Sequence, residues 1–240
     1  MNPKVIAFLS FISLATMFSA CNGSSEEETD ENVQTSDTSE MAGLPFDRDE
    51  EDKSYLAIAH HVSDMELWRS AFELAKPVRR KYGISNEQVF LGSEDSTLAL
   101  VFTHIENIDK AKEYVTSTQL ETSMEVAGVK QDMLTFWIDQ QLAYNQPAND
   151  TILMFMSFKV VNYERWEKAF LEDFKDGSSK DFEVLSVFKG IEENQVCMFF
   201  QVNDPEYVAN TEKNAAFRMK MLAAGVISYP ITHKIVATDI

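Results

Sequence analysis

One segment of this chain is written twice. Glu66-Leu67-Trp68-Arg69-Ser70-Ala71-Phe72 returns 98 positions later as Glu164-Arg165-Trp166-Glu167-Lys168-Ala169-Phe170. At the same spacing Val89-Phe90-Leu91-Gly92 meets Val187-Phe188-Lys189-Gly190, and Phe102 meets Phe200. The spacing then drops to 97, where Asn107 meets Asp204, Met124 meets Met221, and Ala127-Gly128-Val129 meets Ala224-Gly225-Val226. Matches that hold register across most of each half mark a duplicated unit, so the chain must fold as two copies of one motif.

Each copy reads β-α-β-β-α-β. In the first, Tyr55 to Val62 has strand composition, and Asp64 is placed to cap a helix running to about Tyr82. Leu67, Ala71, Leu74 and Val78 recur at helical spacing with Trp68, Phe72 and Ala75 beside them, which predicts a broad apolar face. Gly83 stops the helix. Asn86 to Gly92 and Leu98 to His104 form a hairpin about Glu94-Asp95-Ser96. Asn107 caps a second helical region ending near Gly128, and Asp132 to Asp139 closes the sheet. In the second copy Asp204-Pro205 predicts a helix start, with Asp as the cap and Pro at the first helical position. The order is the split βαβ, ferredoxin-like arrangement, whose sheet carries helices on one face. Leu98-Ala99-Leu100-Val101-Phe102 and Ile152-Leu153-Met154-Phe155-Met156 are apolar on both alternating sides, so the other face also needs cover. The sheet of the other copy supplies it. The fold class expected is α+β: two tandem units, 53–142 and 151–240, joined by a linker at 143–150 and paired sheet to sheet within one chain.

The segment before Lys53 is an address and a tether. Lys4, an apolar run from Val5 to Phe18 and small residues before Cys21 have the layout of a secretory signal, and the run is too short to span a bilayer. Phe18-Ser19-Ala20-Cys21 resembles a lipobox, which implies acylation of Cys21, a membrane partner and a place in the cell envelope. Residues 22–52 hold 12 acidic side chains and a single basic one, Arg48, against a net charge of −18 for the whole chain. Such a tract cannot bury enough apolar surface to fold. The acids directly behind Cys21 resemble the export signal of surface lipoproteins, which implies an outer-membrane, surface-exposed destination. With a mildly acidic remainder, nucleic acid is not an expected partner. Pairing within the chain points to a monomer. With Cys21 acylated, Cys197 is the sole remaining thiol, and its apolar neighbours Val196, Met198, Phe199 and Phe200 make it a small buried hydrophobe.

His60-His61-Val62-Ser63-Asp64-Met65-Glu66-Leu67-Trp68, Pro77-Val78-Arg79-Arg80-Lys81-Tyr82-Gly83-Ile84 and Ala127-Gly128-Val129 resemble the dimeric α/β-barrel superfamily. The resemblance is to a cyclase-like or antibiotic-biosynthesis-monooxygenase-like branch of it. It identifies the fold better than the activity, because one superfold hosts unrelated chemistries. The second copy departs from it: Phe158 stands where His60 does, and Gly177-Ser178-Ser179 replaces Arg79-Arg80-Lys81. Any polar site is therefore expected in the first half.

Candidate site residues are few. His60 or His61 ends the first strand and His104 the third, so one pair could converge as a base or hydrogen-bond donor; solvent-edge histidines are the plainer explanation. Arg79 could grip an anion bidentately, or only face the end of its helix. Trp137 lines a pocket or covers an interface. Trp68 and Trp166 fall at core positions. No phosphate loop, catalytic triad or ligand spacing for zinc or iron occurs, so neither metal nor cofactor is expected. Three functions fit: binding of a small, largely apolar molecule in the cleft between the sheets, a cofactor-independent monooxygenase-like or isomerase-like enzyme using His60, or a structural lipoprotein with a filled barrel.

Overall fold

The computed structural model describes residues 54–130, 133–144, 151–174, 182–204 and 206–238; the signal, the tether, Cys21 and the 145–150 part of the linker lie outside them. The first half runs β1 (Ser54–His61), α1 (Met65–Lys81), β2 (Ile84–Gly92), β3 (Leu98–Ile105), α2 (Ile108–Val115), α3 (Thr118–Val126) and β4 (Leu134–Ala143). The second runs β5 (Ile152–Lys159), α4 (Tyr163–Asp173), β6 (Phe182–Gly190), β7 (Gln195–Val202), α5 (Tyr207–Lys213), α6 (Ala215–Ala223) and β8 (Ile231–Thr238). All strand pairs are antiparallel, and they close into one barrel in the order β1-β3-β2-β8-β5-β7-β6-β4.

Within that circle each half keeps the ferredoxin-like order, β4-β1-β3-β2 and β8-β5-β7-β6. Two seams join them, β2 with β8 and β4 with β6, and they repeat each other: Gly92 lies opposite Ile235 in one and Gly190 opposite Ile138 in the other. Among the described strands, closure leaves no unpaired sheet edge. One face of every strand turns into the barrel, where Tyr55, Phe90, Phe102, Phe136, Phe155, Phe188 and Phe199 form a continuous buried core with Cys197 among them. The helices cover the outside. No helix among the described residues is long and apolar enough to cross a membrane.

The local signals hold at most boundaries. The Asp64 carboxylate accepts from the Leu67 amide at 3.0 Å, and Gly83 stands after the last turn of α1 at φ +69°. Several expectations need correction. Leu67 and Leu74 are 46% and 81% exposed, because α1 meets the sheet through Trp68, Ala71, Phe72 and Ala75, a face rotated from the expected one. The second helical region is two helices, broken where Ser117 caps α3 by accepting from the Leu120 amide. Asp204 caps a turn, accepting from the Glu206 amide at 2.9 Å, and α5 begins beyond it. The residue lost between the copies lies in the β2–β3 hairpin. Phe102 is therefore matched by Phe199, which shares the barrel core, and Phe200 faces the helices.

Candidate functional site

The barrel interior is packed with aromatic rings, so the cleft expected between the two sheets is not where open space lies. Two clefts lie outside the barrel, each between one half's sheet and its own helices. They occupy equivalent places and have similar inner volumes, about 80 Å³ in the first half and about 90 Å³ in the second.

Their walls diverge in chemistry. In the first, Trp68 stacks on Phe72 at 5.2 Å, and the His60 ring lies 5.6 Å from Trp68. In the second, Trp166 stacks on Phe170 at 5.0 Å, with Phe158 at 5.6 Å from Trp166. His60, Thr103 and Tyr114 on the first wall correspond to Phe158, Phe200 and Thr211 on the second. Among the described residues, only the first cleft carries charged side chains, Arg79 and Glu87. The counterpart of Arg79 lies outside the described residues. The counterpart of Glu87 by spacing, Leu185, turns into the barrel core instead.

Arg79 is 6% exposed at the end of α1. Its Nε donates to Glu87 Oε1 at 2.6 Å, and its Nη1 donates to the Phe72 carbonyl oxygen at 2.6 Å. Its guanidinium carbon lies 3.7 Å from the Phe72 ring centroid. Nη2 is buried and makes no hydrogen bond among the described residues. Two of its five N–H donors are thus engaged, and Glu87 balances its charge. Tyr114 stands on the same wall, its phenol pushed up by burial while the Arg79 charge and an Arg79 side-chain hydrogen bond draw it back down. Arg80 on the next position is exposed, as a solvent-facing helix end requires.

The other expected residues lie elsewhere. His60 and His104 do not converge. β1 and β3 are antiparallel, so His60 pairs with Ala99, and His104 pairs with Tyr55 at the far end of the strands. His104 turns its ring edge to Tyr55 at 5.8 Å, on the barrel face rather than the helix face. Trp137 is absent from the cleft wall; it lies on the helix side of β4 under Lys112, beside the β4–β6 seam. Sequence reasoning passed over Glu87, Thr103 and Tyr114. A charged residue in a β-rich stretch was the available signal for Glu87. His61 points to the barrel mouth, 3.2 Å from Asp95, near His233.

No protein-family profile matches the chain, and no curated protein does. Among solved structures, an anthrone oxidase-like protein superposes with a TM-score of 0.51 at 14% identity, covering 78% of this chain and 92% of that one. That coverage takes in both halves of the closed ring. The fold is the dimeric α/β barrel. A provisionally named monooxygenase from Fusobacterium nucleatum matches at a TM-score of 0.49 and 11% identity over 78% of this chain and 94% of that one. Another from Lactobacillus acidophilus matches at 0.44 and 10% over 78% and 94%. Among the described residues of this barrel no group of His, Cys, Asp and Glu is disposed to hold a metal ion.

Proposed function

We propose that this barrel is an envelope lipoprotein whose first-half cleft binds a small, largely apolar molecule. The observation that carries the reading is Arg79, a buried guanidinium whose Nη2 meets no acceptor within ordinary hydrogen-bond geometry, on a wall built mainly of apolar side chains such as Leu56, Ile58, Trp68, Phe72 and Val101. Ligand sites have this composition: apolar area for affinity, a few polar groups for orientation. A buried donor without an acceptor costs roughly 1–3 kcal/mol, which a ligand oxygen at Nη2 removes. The inner volume of about 80 Å³ is small, so a ring-sized ligand must displace part of the wall. Helix α3 is the wall element with least burial to lose, since it contributes Leu120, Ser123 and Met124 to the cleft and none of its residues is buried.

Native mass spectrometry of the protein from its own host tests this. A retained small molecule that is lost in Arg79→Met is the expected result; an empty protein that also ignores added aromatic ketones would sink the reading.

A second reading is cofactor-independent oxidation or isomerisation, with His60 as base beside the ring-binding Trp68. The name of the anthrone oxidase-like neighbour is in keeping with it. Oxygen uptake with an anthrone, abolished in His60→Ala while binding persists, would favour turnover over binding.

Anchoring rests on the Phe18–Cys21 lipobox, and surface display on the acids behind it. Palmitate labelling that vanishes in Cys21→Ser, together with protease accessibility on intact cells, tests both. Closure of the barrel within one chain supports a monomer, checked by sedimentation.

A further inference from the structure

We propose that Glu87 makes the first-half cleft selective for a neutral oxygen acceptor, a ketone or similar carbonyl group, and against carboxylates of the same shape. The proposal rests on the binding reading above and adds to it the class of ligand and the residue that sets it.

A lone buried arginine recruits anions, by charge and by a planar fork that matches a carboxylate. Here part of the fork is already taken. Glu87 Oε1 holds Nε at 2.6 Å, and both side chains, taken apart from their backbones, are nearly sealed from water. The Phe72 carbonyl holds Nη1, and the Phe72 ring covers a face of the guanidinium. What remains is the buried Nη2 amino group, beside Tyr114, on a pair with no net charge.

A carboxylate entering there meets one cation already shared with one anion. It must shed its water, and it stands near the Glu87 carboxylate in surroundings of low dielectric, where like charges raise each other's energy. Among the described residues no other Lys or Arg lines the cleft to compensate, and the remaining titratable side chains there are His60 and Tyr114. A ketone accepts the same N–H bond without these costs. Burial keeps the Tyr114 phenol protonated, so it stands as a second donor on the same wall and not as a further negative charge.

The probes are acetophenone and benzoate, matched in size, titrated into the full chain at about pH 7.5, where benzoate is ionised. Dissociation constants are read from chemical-shift changes. The wild-type protein is expected to bind acetophenone about ten-fold or more tighter than benzoate. In Glu87→Gln the pair becomes a net cation, and benzoate should gain about ten-fold while acetophenone changes by less than about three-fold. Glu87→Asp, which keeps the charge, should keep the wild-type order. If Glu87→Gln fails to fold, the double variant Arg79→Met with Glu87→Gln replaces the pair by neutral side chains of similar size. It should lose the acetophenone preference by lowering ketone affinity, with benzoate still weak. Benzoate binding the wild type as tightly as acetophenone, or an unchanged ratio in Glu87→Gln, overturns the selectivity and leaves the site standing. If neither probe binds the wild type, the binding reading falls and this proposal with it.

Discussion

Arg79 and Glu87 show how much a single buried contact commits a cleft. Each is nearly sealed from water, so each depends on the other to offset the loss of hydration. Removing one partner strands the other. Arg79→Ala should therefore lower unfolding stability by roughly 3–5 kcal/mol, while replacing both by Met and Leu should cost far less or nothing. Urea titration of the two singles and the double gives the coupling; additive losses would show that the pair does not act as a unit. His233 makes a second residue-scale case. Burial pushes its imidazole below its ordinary 6.5, His61 pushes the same way, and Asp95 opposes. Its Nε2 makes no hydrogen bond among the described residues. An unfolded chain takes up this proton at about the ordinary value, whereas the folded chain resists until lower pH. The contribution is thus fully present above 6.5 and fades as pH falls from there toward the depressed folded value. The urea midpoint should drop between about pH 7.5 and about pH 5.5, and His233→Phe should flatten part of that drop. A variant with the wild-type slope would remove His233 as a contributor.

Elements were legible wherever local chemistry fixes them, as at the Asp64 cap and the Gly83 stop. They were obscured where only three-dimensional pairing decides. The hairpin is the clearest instance. Aligning Phe102 with Phe200 keeps one spacing through β3, but strand faces alternate, so a slip of one residue exchanges inside for outside. The structure pairs Phe102 with Phe199 because the β6–β7 turn is one residue shorter, and nothing in an apolar run such as Val196-Cys197-Met198-Phe199-Phe200 announces which side faces in. The rotated face of α1 has the same origin: apolar spacing included Leu67 and Leu74, and the sheet selected Trp68 and Phe72 instead. What both hairpins do share is a glycine at the pinch. A Cβ on Gly190 would sit 2.5 Å from the Glu193 carbonyl oxygen and 2.8 Å from Gln195 Cβ; on Gly92 it would sit 2.5 Å from the Asp95 oxygen. In an unconstrained strand Gly→Ala adds roughly 0.5–1 kcal/mol of stability. Gly190→Ala should instead destabilise, by about 1–3 kcal/mol, since a backbone oxygen cannot step aside without opening the turn. The sign of the change in denaturation midpoint decides the point.

At the scale of the whole molecule, the repeat announced two mutually sheltering sheets, but not where a ligand could enter. Strands apolar on both faces are compatible with a cavity on either side, and only the count of rings pointing inward settles it. Phe102 touches Phe188 at 5.2 Å and Phe199 at 5.3 Å, Phe90 meets Phe199 at 5.4 Å, and Phe136 faces Phe155 at 5.9 Å, every pair crossing from one half to the other. With the interior spent on joining the halves, each half is left its outer cleft. The two clefts differ in chemistry, the first carrying His60 and Arg79 and the second lined mainly by aromatic side chains and Met among the described residues. A shared core also fixes how the molecule comes apart. Neither sheet has a partner for its inner face except the other, so the halves should unfold in a single transition. Phe199→Ala removes a fully buried ring from the second half and should cost about 3–5 kcal/mol. Because Phe90 and Phe102 of the first half lose contacts in that variant, hydrogen-exchange protection in β1–β3 should fall by as much as in β5–β7. Protection retained in the first half, with loss confined to the second, would mean that the two copies are stable on their own and that the closed core does not bind their fates together.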